Sequence, residues 1–448
     1  MAGLDWEKIE TKLLPLATRQ ILSPGLYDRT LMNIVSFQPP PPPIVPPVAP
    51  GNKNPAMPAV PPIPVPPAPP ALPLGPPPPP TLKLPRFGLD KNGKPRAPFV
   101  ARFAQEFIWV DFDGDGKPGP GETQHIGADG YSDPFTCELF YEDGTTAKHA
   151  FRFKTIADKD QYALIRASAR VFDFRGKHIM LLDDDGNGKY NDAGRDAVWV
   201  EGQPVCFLGK HIQIGNALFE IIVHQSGGTV EIRPAAKDLL LGSIEPFEKY
   251  VSTQRSENLK LHTLIFSGSE GSFACDETHR SVPAPAGTYD MVFALFERTN
   301  ETVFLKKGAK TSFNVIPKAA AQPKWGGPVK AHFTFTSDGE EVTVGAPHFL
   351  GIGSEEYIPE YGHALPCTAR VSMVFRDRAH LDIESYVSFA SHKFETLPNG
   401  DFKPLAFKRY RNVSDEYEAA VEYTSGILGR VDGKERLAFT YKKKNPNR

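Results

Sequence analysis

Long apolar runs, an excess of one charge and CxxC cysteine motifs are all missing from this chain of 448 residues. Without a run of 18 apolar residues, no membrane-spanning helix is predicted. Lys and Arg number 51 against 53 Asp and Glu, a formal net charge of -2. That balance removes the electrostatic argument for nucleic-acid binding, which needs a concentrated basic surface. Cys137, Cys206, Cys275 and Cys367 form no CxxC pair, and their separations of 69, 69 and 92 residues match no zinc-finger spacing. Cys275 and His279 are half of a metal site without a second half, so isolated buried thiols are expected. One or two long-range disulfides stay open from sequence.

Catalytic signatures are also missing. No HExxH occurs, and Gly268-Ser269-Glu270-Gly271 and Gly353-Ser354-Glu355 lack the spacing of a nucleophile elbow. Gly114 to Gly119 fits GxGxxG, but Asp113 and Asp115 would repel phosphate and Pro118-Gly119 opens no helix. Glu355-Glu356 and Asp415-Glu416 read as solvated acids rather than a glycosidase pair, whose separation sequence cannot fix. An enzyme is therefore the less favoured reading. A carbohydrate-active or other hydrolase with β-sandwich accessory domains is carried as the alternative, and an adaptor using its Pro-rich stretch as ligand as a third.

Proline is abundant in one place: 23 of the 45 prolines fall in Pro39–Pro80. Proline fixes its own φ and pushes its predecessor towards extended geometry, so a disordered polyproline II linker is expected over 38–80. At full extension it would reach about 130 Å. Few basic residues flank its PxxP repeats, which favours a spacer over a docking ligand. Before it, Trp6, Ile9, Leu13, Leu14 and Leu16 alternate irregularly with Glu7, Lys8, Glu10 and Lys12. That spacing predicts a short amphipathic helix ending before Pro15, within an N-terminal segment 1–37 that shows no export signal.

After the linker the pattern turns to period two. Alternation is clear in Phe135–Tyr141, His149–Phe153, Ala163–Phe174, Ala217–His224, Thr288–Phe296, Val329–Thr336, Ala369–Phe375 and Leu437–Tyr441. Asp143-Gly144, Asp338-Gly339, Asn399-Gly400 and Asp432-Gly433 are hairpin signals. The expected fold is mainly β: tandem antiparallel sandwiches or barrel-like domains. Divisions near 235 and 320 give β units at 81–235, 236–320 and 321–448. In the middle unit, Pro283–Tyr289 (PAPAGTY), an alternating strand and a second strand at Ser312–Ile316 resemble the small transthyretin-like sandwiches.

The strongest chemical signal is acidic. Asp111, Asp113, Asp115, Gly116 and Glu122 fit D-x-[DN]-x-[DN]-G-x5-E at every specified position. Carboxylates at alternate positions converge on one cation when the backbone curls, Gly116 permits the bend, the Lys117 carbonyl adds an oxygen and Glu122 closes the shell. Asp183, Asp185 and Asn187 repeat the spacing 72 residues later, with Gly188 at the bend and the Lys189 carbonyl in the corresponding place. Gly194 occupies the closing position there, so Asp196 is the expected substitute and Asp192 another.

These loops resemble those of EF-hand-like calcium-binding proteins, over 12 to 14 residues each. The flanks Phe107–Val110, Ile179–Leu182 and Ala197–Val200 are strand-like, so the kind implied is the strand-flanked loop of secreted or envelope bacterial β-proteins. The resemblance implies Ca2+ as the bound ion, in a structural role, without the helix-pair opening of calcium sensors. The expectation is a non-enzymatic, modular calcium-binding protein with a structural or interaction role. The periplasm, envelope or cell exterior is the expected location, the cytoplasm staying open because no signal is visible, with an unidentified protein or glycan partner.

Overall fold

The computed structural model describes residues 6–16, 26, 33–36, 81–83, 99–104, 106–155, 161–247, 260–298, 301–338, 341–359, 367–376, 384–395, 402–408, 416–425 and 427–438. The expected linker and the Asn399-Gly400 turn lie outside them. The fold is mainly β, as the alternation predicts: every element among the described residues is a strand, and all but one of the strand pairings are antiparallel.

Two sandwiches build the N-terminal half. In the first, the sheet of Thr81–Lys83, Val100–Ala104, Phe107–Asp111 and Thr123–His125 faces the sheet of Asn33–Ser36, Gln161–Arg166, Thr146–Thr155 and Phe135–Phe140. Phe135–Phe140 alternates buried and exposed as period two demands, placing Phe135, Cys137 and Leu139 inward against Ala101, Ile108, Val110, Phe151 and Phe153. In the second, Lys12–Pro15, Ser168–Phe174, Lys177–Leu182, Ala197–Val200 and Cys206–Phe207 form one layer. Its partner layer is Glu7–Glu10, Thr229–Pro234, Ala217–Val223 and His211–Ile214. Phe172, Ile179, Leu181, Val198 and Val200 meet Ile212, Phe219, Ile221, Val230 and Ile232 in its core.

The N-terminal segment corrects one expectation. Glu7–Glu10 and Lys12–Pro15 are edge strands, not a helix. The first pairs with Thr229–Ile232 and the second with Ser168–Val171. Ile9 packs on the second core and Leu16 is buried beside Ala169, Met180 and Leu182. Two open sheet edges offer a full ladder of hydrogen bonds, and so short a helix is marginal alone in water.

The remaining chain assembles around an eight-stranded sheet centred on Gly287–Arg298, which pairs with Lys260–Gly268, Glu301–Lys306 and Ser312–Val315. Tyr289 is buried and donates its hydroxyl to Pro285 O at 2.9 Å, pinning the turn that opens this strand. Hydrogen bonding then continues past residue 320, because Glu301–Lys306 pairs with Glu356–Pro359. One core runs from Leu218 through Trp325 to Val431. Asp143-Gly144 joins paired strands, Phe140↔Thr146; Asp338 pairs with Glu341, and Gly339 lies outside the described residues. Asp432-Gly433 does not turn the chain: it lies inside Gly429–Ala438, where a Cβ on Gly433 would collide with Ala331 O. That glycine serves close backbone approach rather than a bend.

Strand Gln161–Arg166 is covered on both faces. Tyr162 and Leu164 face the first sandwich core. Ala163 and Ile165 pack with Ile265, Phe293, Leu295 and Phe304 of the large sheet.

Candidate metal centre

The two acidic loops leave matching strand ends. The first follows Phe107–Asp111 and returns into Thr123–His125; the second follows Lys177–Leu182 and returns into Ala197–Val200. Their bends use left-handed glycines, Gly114 and Gly116 in one, Gly186 and Gly188 in the other, all between φ 65 and 85. In each loop the leading carboxylate gathers backbone N–H groups. Asp111 accepts from Gly114 N at 2.7 Å and Gly116 N at 3.2 Å; Asp183 accepts from Asn187 N at 3.0 Å and Gly188 N at 2.8 Å.

Here the likeness ends. In the first loop, carboxylate oxygens of Asp111, Asp113 and Asp115 lie within 4.8 Å of one another, with Asp113 and Asp115 exposed. Glu122 stands apart from that triplet. It is buried, and its carboxylate accepts from Phe112 N at 2.7 Å, Asp113 N at 3.4 Å, Gly119 N at 2.8 Å and Trp109 Nε1 at 3.3 Å. Lys117 joins through its N–H, bonded to Asp115 Oδ1 at 2.7 Å.

In the second loop the corresponding group is Asp183, Asp185 and Asp196, again within 4.8 Å, but exposed by only 0%, 5% and 1%. Asp196, the substitute expected for Gly194, belongs to this group. Its carboxylate accepts from Asp192 N at 2.7 Å and Asp184 N at 3.3 Å. Asn187 comes to the cluster through its amide nitrogen, which donates to Asp185 Oδ2 at 3.2 Å and to Asp192 Oδ2. Lys189 donates its N–H to Asn187 Oδ1 at 2.8 Å.

This loop is wedged between sheets. Asp184 meets Arg166 Nε at 3.2 Å, both side chains almost fully buried, and a Cβ on Gly186 would lie 3.1 Å from Leu164 O. Both contacts fix it to strand Gln161–Arg166 of the first sandwich. Tyr141 donates its hydroxyl to Gly188 O at 2.7 Å, and His149 Nε2 lies 3.4 Å from Asp183 Oδ2. On the other side Tyr190 N bonds Gln225 O at 3.0 Å and Leu208 N bonds Asp196 O at 2.7 Å. The Tyr190 ring is capped by Arg170 at 5.7 Å, and Gly227 sits so close that a Cβ there would meet the ring at 2.8 Å.

Electrostatics follow from burial. Desolvation first, then the neighbouring Asp185 charge, pushes the Asp183 carboxyl well above the usual carboxylate range. Asp196 is raised the same way by burial and then by Asp183. Asp185 is raised by burial and by Asp192. His149, desolvated and facing the Arg170 charge, falls to about 3 and is neutral at physiological pH. Tyr141 and Tyr190 are pushed upward, chiefly by burial. Holding three acids together carries a cost in desolvation and mutual repulsion that a bound cation would offset. Their oxygens are hard donors with a second lone pair beyond the backbone bonds, which suits calcium or magnesium rather than a soft metal.

Sequence spacing finds the acids but not their supports. Tyr141, His149, Arg166 and Gly227 are remote in the chain and lie in runs that read only as strand or turn.

A scan against protein-family models and a search of curated proteins each return no match for this chain.

Proposed function

We propose that this chain is a non-enzymatic, modular β protein whose two N-terminal sandwiches are tied together by a divalent cation, calcium by preference. Its role is structural or interactive, at the cell envelope or outside the cell. The single observation that carries this reading is the cluster of Asp183, Asp185 and Asp196, buried together at the junction of the sheets. Side chains of these three would hold the ion, and bound calcium would supply the positive charge that lets them ionise in place. The first loop would hold a second ion through Asp111, Asp113 and Asp115, with Glu122 bracing the loop from beneath. Being exposed, that site should be weaker and more easily exchanged.

Calcium is favoured over magnesium because magnesium demands near-octahedral geometry and gives up its water reluctantly. An affinity of about 10⁻⁴–10⁻³ M, usual for extracellular modules, would make the ion structural rather than signalling. The hydrolase alternative requires a concave pocket lined by perturbed carboxylates. Among the described residues, the cleft at Val198, Cys206, Phe273 and His279 contains no carboxylate. The one on the Arg370 and Arg430 sheet face has Glu422 and Asp432, each paired with Arg430.

The test is the melting temperature of the whole chain in chelator, in millimolar calcium and in millimolar magnesium. A concentration-dependent rise, larger with calcium, is expected. An unchanged curve across all three removes the reading.

A further inference from the structure

The second loop brings a cation of its own. Arg195 precedes Asp196, its N–H bonds Asp192 O at 3.0 Å, and its Nη1 lies 3.4 Å from Asp185 Oδ2. The two members of that pair differ in exposure: the Arg195 side chain is 57% exposed and that of Asp185 only 5%. Asp183 and Asp196 are more deeply buried still. The guanidinium therefore approaches the cluster from the solvent side, at its outermost acid.

A second arginine, at the end of strand Gln161–Arg166 and in contact with the same loop, shows the contrast. Arg166 meets Asp184 at 3.2 Å with both side chains about as buried as the core. That pair braces the loop against its neighbouring strand, and Asp184 is not one of the three clustered acids. Arg195 is placed differently, on a cluster member and within reach of water.

We infer that Arg195 is a built-in competitor for the divalent ion, and that its charge sets the affinity of the second loop. This rests on the proposed reading of that loop as a cation site. The guanidinium brings a positive charge of its own to Asp185. An ion held by Asp185 would place two further positive charges beside the guanidinium. The ion and the guanidinium cannot both keep Asp185 at full strength. With its side chain largely in water, Arg195 yields by swinging outward, losing only a partly screened contact. In the ion-free protein the same contact offsets part of the repulsion among the acids and keeps the loop closed. Arg195 thus exchanges places with the incoming cation, and acts through Asp185 rather than as a ligand.

The experiment is calorimetric titration with calcium chloride at low ionic strength, on the full chain carrying Asp111→Ala so that the second loop reports alone. Arg195→Gln should bind about threefold to tenfold more tightly than the parent. Arg195→Lys, which keeps the charge, should stay near the parent. Raising the salt to about 0.5 M should shrink the difference, since an exposed charge is screened. Melting of the Gln variant in chelator should show a small loss, confirming that it folds. If the parent binds calcium and Arg195→Gln binds equally or more weakly, the competitor role is wrong and the site reading stands. If neither binds, the site reading itself fails and the competitor role goes with it.

Discussion

Replacing Asp183 by Asn separates a cation ligand from a mere hydrogen-bond acceptor. The amide keeps an oxygen for Asn187 N, at 3.0 Å in the parent, but turns a donor towards Gly188 N, at 2.8 Å. That mismatch costs about 1–3 kcal/mol. In compensation the variant removes a buried acid that crowds Asp185 and Asp196. In chelator the two effects oppose, and the variant should melt within a few degrees of the parent. Calcium breaks the tie. At 10 mM calcium and a dissociation constant of about 10⁻⁴–10⁻³ M, binding adds about 1.4–2.7 kcal/mol to the parent. For a cooperative unit of about 150–250 residues this is a rise of roughly 3–11 °C. Differential scanning calorimetry in chelator and in calcium should show the rise in the parent, most of it lost in Asp183→Asn and most retained in Asp111→Ala. An equal rise in the parent and in Asp183→Asn would refute the reasoning, because the buried carboxylate would then have no part in binding.

Further outcomes follow from the same contacts. Gly186→Ala forces a side chain into a φ of 65 and against Leu164 O at 3.1 Å; it should cost about 1–3 kcal/mol by chemical denaturation, in chelator and calcium alike. The calcium-induced rise in melting temperature should grow between pH 5 and pH 7.5. The Asp183, Asp185 and Asp196 carboxyls are raised by burial and each other, so the ion must displace protons at low pH and fewer at high pH. A rise that is flat with pH would oppose this. Glu355 tests the same logic without a metal. Burial raises its carboxyl above 4.5 despite the Gly326 N–H at 2.6 Å. Its folded value exceeds its unfolded one, so its contribution is most favourable below about pH 4.5 and weakens as pH rises towards the folded value. The melting temperature of Glu355→Gln relative to the parent should therefore climb from pH 4.5 to pH 7.

The fold class was legible because period-two alternation survives wherever one strand face is buried, as in Phe135–Phe140. The N-terminal strands were not, since Glu7–Glu10 and Lys12–Pro15 take their conformation from edges formed by Thr229–Pro234 and Ser168–Phe174. Nothing local announces a partner more than 150 residues away. Asp432-Gly433 misled for a related reason: a glycine needed for contact with Ala331 carries the same letters as a turn. In the acidic loops, the spacing marked the acids, and the fold brings Asp183, Asp185 and Asp196 together. The spacing could not rank the two loops, because the second is enclosed by His149 against Asp183, Tyr141 against Gly188 and Arg166 against Asp184, all remote in the chain. Glu122 illustrates the limit from the other side: the pattern places it as a ligand, while the fold surrounds its carboxylate with four N–H donors.

The most direct measurement is a crystal structure of the chain grown in calcium chloride. It should show an ion among Asp183, Asp185 and Asp196, with oxygen distances of about 2.3–2.6 Å and Arg195 drawn away from Asp185. Carboxylates bridged only by water or protons, with Arg195 still on Asp185 at saturating calcium, would contradict the account.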